Sequence, residues 1–324
     1  VIEACRKEDS DLLCTTDFHE IAAMTDCRTV ATFTPNATHR DIAVACLRGG
    51  KNVFIEKPMG INLEQGLDIL RVEKDSGCHV GVDLECRFSR MTGQEIRKIL
   101  DSGELGQILK IEVDHHRGGW LCDTPSGVYR TQKATSGLMK MEGIHQIDLF
   151  RYWNGAITSV QSFSAPSALK HYEFPDNITV MIWFKNGAMG RYTSSHHQAA
   201  YSLGHDLQRA PSFGHVLRWG IVGTQWSLSM DAWTQSINIY HFSAHPAGTD
   251  SVKSEFDRRI DLSGIPASVA FHDMHGYRND FLDRMAGGRP PFQPAADAYR
   301  SEQIALACDQ SAYEGGRKID CTQF

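Results

Sequence analysis

Residues 29–58 read TVATFTPNATHRDIAVACLRGGKNVFIEKP, and the fold is decided here. Thr29–Phe33 is a short apolar and β-branched run that ends at the turn-forming Thr34-Pro35-Asn36, as a buried strand would. Ala37–Leu47 then places apolar residues at helical spacing and stops at Gly49-Gly50. Asn52–Ile55 is a second strand, broken at Pro58, which has no amide hydrogen to donate. Working outward, Asp17 or Thr16 is placed to cap a helix through Met24. Leu63–Asp75 reads as a helix with Gly77 behind it, and His79–Val82 as a third strand. Strands joined through helices by connections this short imply right-handed crossovers and a parallel sheet. This part is expected to be α/β, doubly wound.

After Phe88 the texture changes. One helix is expected from about Met91 to Leu100, then alternating stretches typical of antiparallel strands at Ile108–Val113, Thr179–Phe184, Met189–Thr193 and Ile237–Phe242. Asn186-Gly187 is a hairpin signal between two of them. Gly137–Trp153 and Ala298–Tyr313 read as helices. The expectation is an incomplete doubly wound parallel sheet over residues 1–86, followed by an α+β unit over 87–324 built on a large, mostly antiparallel sheet. Such a sheet buries one face on helices and can offer the other to a second copy of the chain.

Composition narrows the function classes. The 324 residues are 41% hydrophobic and 22% charged, which excludes a disordered tail, a coiled coil and a collagen-like rod. Lys plus Arg is 33 against 39 Asp plus Glu, so the net charge of −6 leaves no electrostatic footprint for nucleic acid or an anionic membrane. The longest apolar run, Ile42–Leu47, is far too short to span a bilayer. Nine cysteines, an odd number with no Cys-x-x-Cys pair, point to reduced thiols and a cytoplasmic setting.

Two groups of residues carry chemistry. Thr34-Pro35-Asn36 with His39, and Glu56-Lys57-Pro58, lie at the carboxyl ends of expected parallel strands, where open α/β sheets bind ligands. On the expected helix Glu142, His145 and Asp148 step by three and share a face. A histidine between carboxylates can be held in one tautomer and act as a general base. A solvated lysine and a surface ion-pair face are the plain alternatives for the two groups.

Together these residues, Glu56-Lys57-Pro58 after the Thr34-Pro35-Asn36 strand end and Gly143-Ile-His145 with Asp148, resemble the glucose–fructose oxidoreductase / inositol dehydrogenase (Gfo/Idh/MocA) family. Arg87-Phe88-Ser89, Ser102–Gly106, Gly223-Thr224 with Ser227-Leu228, and Gly288-Arg289-Pro290 also fit in order along the chain. The resemblance implies a Rossmann domain, NAD or NADP as cofactor, and hydride transfer between the nicotinamide and a hydroxyl-bearing carbon of a sugar, inositol or related polyol. It implies that Lys57 sits beside the reacting oxygen and His145 is the acid/base, with Asp148 orienting it or binding substrate. Thr34, Pro35, Asn36, His39, Glu56 and Pro58 would line the cofactor side, and Arg87 and Tyr277 would reach substrate. The place of a frequent family aspartate is Met141, so Glu142 is the next candidate base.

No Gly-x-Gly-x-x-Gly loop occurs in the sequence, and the expectation is that the chain starts after that segment. Rival readings are a pseudoenzyme or sugar-binding relative without cofactor, and a glycoside-cleaving relative that cycles through oxidation, elimination and reduction. Fifteen histidines, among them His115-His116, His196-His197, His241 with His245, and His272-Asp-Met-His275, hint at metal, but pairs alone do not make a three- or four-ligand site, so none is expected.

Overall fold

The computed structural model describes residues 7, 9, 11–119, 125–197, 215–243 and 252–323. His245 and the other residues outside these ranges are therefore not placed. The first described element is helix α1, Phe18–Ala23, with the Asp17 carboxylate accepting the His19 amide at 2.9 Å as its cap. Strands β1 (Thr29–Thr32), β2 (Asn52–Ile55) and β3 (Val80–Val82) pair in parallel in that order. The crossovers are α2 (His39–Arg48) and α3 (Leu63–Ser76), which pack on each other. A 3-10 turn at Asn36–Thr38 follows Pro35, so α2 begins two residues later than its apolar pattern suggests. Asn62 caps α3 through the Gln65 amide, and Gly77 ends it at φ 69°.

Beyond β3 a 3-10 turn, Glu85–Arg87, leads into a π-helical turn, Arg90–Glu95, continuous with α4 (Ile96–Ser102). Then come β4 (Ile108–Arg117), α5 (Pro125–Thr131), a second π-helical turn at Met139–Gly143, and α6 (Ile144–Asn154). The strands β5 (Ile157–Phe163), β6 (Asn177–Phe184), β7 (Met189–Ser195), β8 (His215–Gly223), β9 (Trp226–Asp231), β10 (Ser236–Ser243) and β11 (Lys253–Asp261) follow. Helices α7 (Ala267–Ala270), α8 (Met274–Ala286) and α9 (Ala295–Tyr313) and the short β12 (Ile319–Asp320) close the described chain.

These strands form one nine-stranded sheet in the order β11-β10-β9-β8-β4-β7-β6-β5-β12. Every neighbouring pair is antiparallel except β4 and β7, which run parallel with Lys110 opposite Met189. Gly187, at φ 89°, makes the β6–β7 turn. The sheet is thus large and mostly antiparallel, as expected. Strands β5, β8, β11 and β12 escape the sequence reading, which reaches β9 only through the resemblance at Ser227-Leu228. β8 is interrupted by Gly220, and β11, KSEFDRRID, is a charged edge strand with little buried surface to leave a pattern.

α6 is buried on nearly its whole circumference, from Ile144 to Phe150, between the sheet and α9. α9 also reaches β5, α3 and the Met139–Gly143 turn. Two of its carboxylates, Glu302 and Asp309, lie seven residues apart and so share a face. Glu302 accepts the Met59 amide at 2.9 Å and the Gly60 amide at 3.3 Å. Asp309 accepts the Met139 amide at 3.0 Å and the Lys140 amide at 2.9 Å. Gly137 makes room for this second cradle, since a Cβ there would lie 2.3 Å from an Asp309 oxygen. Burial pushes Glu302 up to about 8 and Asp309 up to about 6 in spite of these donors. Among the described residues no helix is long and apolar enough to cross a membrane.

The other face of the parallel sheet is closed by aromatic packing. Phe54 of β2 meets Tyr277 and Phe281 of α8 with ring centroids 5.7 and 5.2 Å away. Gly81 of β3 leaves the space for this, because a Cβ there would lie 2.7 Å from the Phe281 ring and 3.0 Å from that of Phe54. Gly81→Ala should therefore destabilise the fold by about 1–3 kcal/mol, the usual range for overpacking a full core. Denaturant unfolding of the two proteins checks this, and an unchanged midpoint would show that the ring has slack.

Candidate active site

A cleft of about 460 Å³ opens over the carboxyl ends of all three parallel strands. Each strand contributes the residues just past its end: Thr34 and Asn36 after β1, Glu56 and Lys57 after β2, Asp83 and Glu85 after β3. The opposite wall comes from Met141, Glu142, His145 and Gln146 at the π-helical turn and the start of α6, with His115 and Arg117 of β4 and Trp219 of β8. Tyr129, Arg130 and His272 complete the rim. Lys57 and His145, predicted from distant parts of the sequence, thus face the same space.

The Lys57 loop and the α6 turn are bonded to each other. Lys57 Nζ donates to the Met141 carbonyl, and Asn36 Nδ2 donates to the Thr135 carbonyl at 3.0 Å with Met141 Sδ also at 3.0 Å. The Lys57-Pro58 peptide is cis. His39 does not line the cleft. It is fully buried behind it, its ring nitrogens 2.8 Å from the Pro58 carbonyl and 2.9 Å from that of Thr34, tying the two strand-end loops together. Pro35 and Pro58 likewise shape loops without lining the cleft. Of the expected cofactor side, Thr34, Asn36, Glu56 and Lys57 line it.

His145 is buried, and its Nδ1 lies 3.5 Å from an oxygen of Glu85. Burial, with Lys57 and His272 nearby, drives its pKa down to about 3 against the pull of Glu85, so the ring is neutral at ordinary pH. Burial alone would raise Glu85, but the facing His145 and His272 bring it down to about 2. Its second oxygen is paired with Nδ1 of His272. Burial would lower His272, and Glu85 outweighs this and raises it. Asp83 is buried and bonded to Arg278 at 2.6 Å, yet burial and the charges of Glu85 and Glu56 push it up to about 8.

Four expected site residues are used differently. Glu142 lines the cleft but is gripped by Arg117 and by His196 at 2.8 Å. Burial would raise its pKa, yet His196 and Arg117 hold it well below the carboxylate range, and with Arg117 on one oxygen and His196 on the other it has neither oxygen open to a substrate hydroxyl. Asp148 does not reach His145. It is fully buried in a bidentate pair with Arg87, both contacts 2.6 Å, and accepts from Ser301 at 2.6 Å and Gln293 at 2.9 Å. Arg87 also pairs with Asp297 of α9 at 2.7 Å, so Arg87 and Asp148 link the Glu85–Arg87 turn, α6 and α9 and do not face the cleft. Tyr277 is packed among Phe54, Phe88 and Phe281 and does not line the cleft.

Among the residues that line the cleft, Glu85, Asp83 and Arg117 were not singled out in the sequence, and His272 was weighed there only as a metal ligand. Glu85 and Asp83 follow a parallel strand, the same signal that marked Thr34 and Lys57. Glu85, Cys86 and His272 also bring three ligand-type atoms within 4.8 Å of one another. The described cysteines, from Cys14 to Cys321, are unpaired thiols.

Residues 2–84 match the family model described as an oxidoreductase family, NAD-binding Rossmann fold, and residues 94–229 match the GFO/IDH/MocA C-terminal domain. The chain belongs to the GFO/IDH/MocA oxidoreductase family. It is 26% identical over 286 residues to inositol 2-dehydrogenase 2 of Saccharopolyspora erythraea, covering 86% of this chain and 72% of the relative. It is 24% identical to scyllo-inositol 2-dehydrogenase (NAD(+)) of Bacillus subtilis, over 87% of this chain and 74% of that protein. The fold is shared with levoglucosan dehydrogenase solved with NADH and levoglucosan: TM-score 0.75, 21% identity, covering 99% of this chain and 87% of that one.

The Arg87–Asp148 pair should matter to the fold more than to the chemistry. Asp148→Asn leaves a buried arginine short of its counter-charge, and breaking such a pair typically costs about 3–5 kcal/mol. Thermal and denaturant unfolding check this, and a variant of parental stability that fails only in turnover would return Asp148 to the site.

Proposed function

We propose that this chain oxidises a secondary hydroxyl of a cyclic polyol or sugar, passing the hydride to NAD and the proton to His145. The observation that carries the reading is the convergence of Lys57 and a neutral, buried His145 on one cleft at the carboxyl ends of the parallel strands. A nicotinamide fits that cleft. Besides Thr34, Asn36 and Glu56, it presents the buried Asp83 Oδ1, which has no hydrogen-bond partner among the described residues. These four side chains would hold the cofactor's reactive half, with Lys57 turned to the substrate oxygen, and the bound cofactor supplies the hydride acceptor.

The chain's own residues do the proton work. The Lys57 ammonium, fixed by the Met141 carbonyl, holds the substrate oxygen and stabilises the alkoxide character that develops there. His145, kept neutral by burial, has a lone pair ready for the hydroxyl proton. Gln146, bonded to the Trp219 indole at 2.8 Å, and Tyr129 supply the polar and apolar surface that suits a hydroxylated ring. The relatives named for inositol and levoglucosan support a ring polyol, and the one named for NAD(+) supports NAD over NADP. A cytoplasmic setting and a homo-oligomer formed through the open face of the nine-stranded sheet belong to the same proposal.

General-base catalysis is typically worth 10² to 10⁴-fold, so His145→Ala should lower the rate of NAD-linked polyol oxidation by about that factor. Lys57→Met should abolish turnover while NADH affinity, followed by its fluorescence, stays near the parental value. Parental turnover in either variant removes that residue from the chemistry. The pH dependence has a definite sign. Because the folded-state pKa of His145 lies at about 3 and not at the ordinary 6.5, the acid limb of kcat/KM should fall well below pH 6.5. A limb centred at 6.5 would show that the working base is an ordinary, solvated imidazole.

A further inference from the structure

We infer that Glu85 is the positioning residue of the reaction: it fixes His145 with Nδ1 protonated, so that Nε2 is the nitrogen open to the substrate hydroxyl. The inference rests on the reading of His145 as the base. Three observations carry it. His145 Nδ1 is buried, has no hydrogen-bond partner among the described residues, and faces a Glu85 oxygen 3.5 Å away. Glu85 is only 1% exposed, so no solvent competes for that oxygen. Its other oxygen is taken by His272, whose ring stands nearly perpendicular to that of His145 with centroids 5.7 Å apart. One carboxylate is clasped between two imidazoles. The carboxylates on or beside α6 are committed elsewhere, Glu142 to Arg117 and His196 and Asp148 to Arg87.

A separation of 3.5 Å is long for a formed hydrogen bond, and such contacts tighten when substrate closes a site. The charged groups around His145 are Glu85 and Glu142, which favour a proton on the ring, and Lys57 and His272, which oppose it. Glu85 is the one set against the nitrogen that must keep its hydrogen. In the reaction the hydride leaves carbon with its electron pair for the nicotinamide, and the hydroxyl proton goes to His145 Nε2. The imidazolium keeps its Nδ1–H directed at Glu85, which stays ionised. His272 holds that carboxylate in place and balances its charge before the proton arrives.

The test reads the tautomer of His145 by nitrogen-15 NMR of histidine-labelled protein at neutral pH, with the His145 signal assigned by its loss in His145→Ala. The expected result is the Nδ1–H form in the parent. In Glu85→Gln the amide donates to Nδ1 and the ring becomes the Nε2–H form. Turnover then falls by about 10² to 10⁴-fold, as when a triad histidine is left in the wrong tautomer, with the KM for NAD unchanged. Glu85→Asp should keep the Nδ1–H form and recover part of the rate. An Nε2–H ring in the parent overturns the inference even if Glu85→Gln fails to fold. A parental tautomer in folded Glu85→Gln overturns it whatever the rate. If the parent oxidises no polyol, the proposed function fails, and the tautomer still decides the role of Glu85.

Discussion

Glu302 and Asp309 hold the backbone on the two sides of the cleft from one face of one helix. The first gathers the amides of Met59 and Gly60, immediately after the Lys57-Pro58 step. The second gathers those of Met139 and Lys140, at the start of the turn that leads to His145. Seven residues of helix span about 10 Å and do not stretch, so α9 sets the distance between the loop that carries the lysine and the turn that carries the histidine. The Lys57 bond to the Met141 carbonyl closes the frame from inside the cleft. Both carboxylates are buried, and each is compensated by two amide donors that would otherwise be orphaned at a turn. Lys140, whose Nζ donates to the Ile61 carbonyl at 3.0 Å, lies between them and ties the two cradles together.

Legibility in the sequence followed from how local each constraint is. The parallel strands, both crossovers and the hairpin at Gly187 are written in short-range patterns, and they stand where the spacing put them within a residue or two. Lys57 was marked by its place at a strand end and His145 by sharing a helical face with two carboxylates, and the resemblance to the family singled both out. The three-residue spacing of Glu142, His145 and Asp148 misled for an instructive reason. It places side chains on one helical face, but α6 is buried all round, so Arg117 and His196 capture Glu142 while Arg87 captures Asp148. Partner choice in a buried helix is decided by elements far away in the chain. Glu85 could have been read from its place after β3. Its pairing with His272, 187 positions later, could not.

The cleft separates its ionic groups into tasks by environment. Glu142, with Arg117 on one oxygen and His196 on the other, stays ionised and occupied, whereas Asp83, with one arginine and two neighbouring carboxylates, is pushed toward its protonated form. Between these lies His145, neutral because it is buried beside a lysine. Burial makes each of these groups answer to a few specific neighbours instead of to solvent.

The position of β4 has a consequence for how the chain acquires this structure. β5–β6–β7 and β8–β9–β10–β11 are two runs of antiparallel strands joined in sequence order, and β4 stands between them and pairs with both across the middle of the sheet. It is also the earliest of the nine strands to be synthesised. Arg191 of β7 pairs with Glu112 of β4 across 79 residues, and β8 comes later still. At about 5–20 residues per second, β4 waits roughly 4–16 s on the ribosome before its parallel neighbour emerges. Through that interval Ile111 and Val113, fully buried in the finished sheet, have no strand beside them. Completing the sheet around β4 therefore needs long-range loop closures, to β7 first and over a longer stretch to β8.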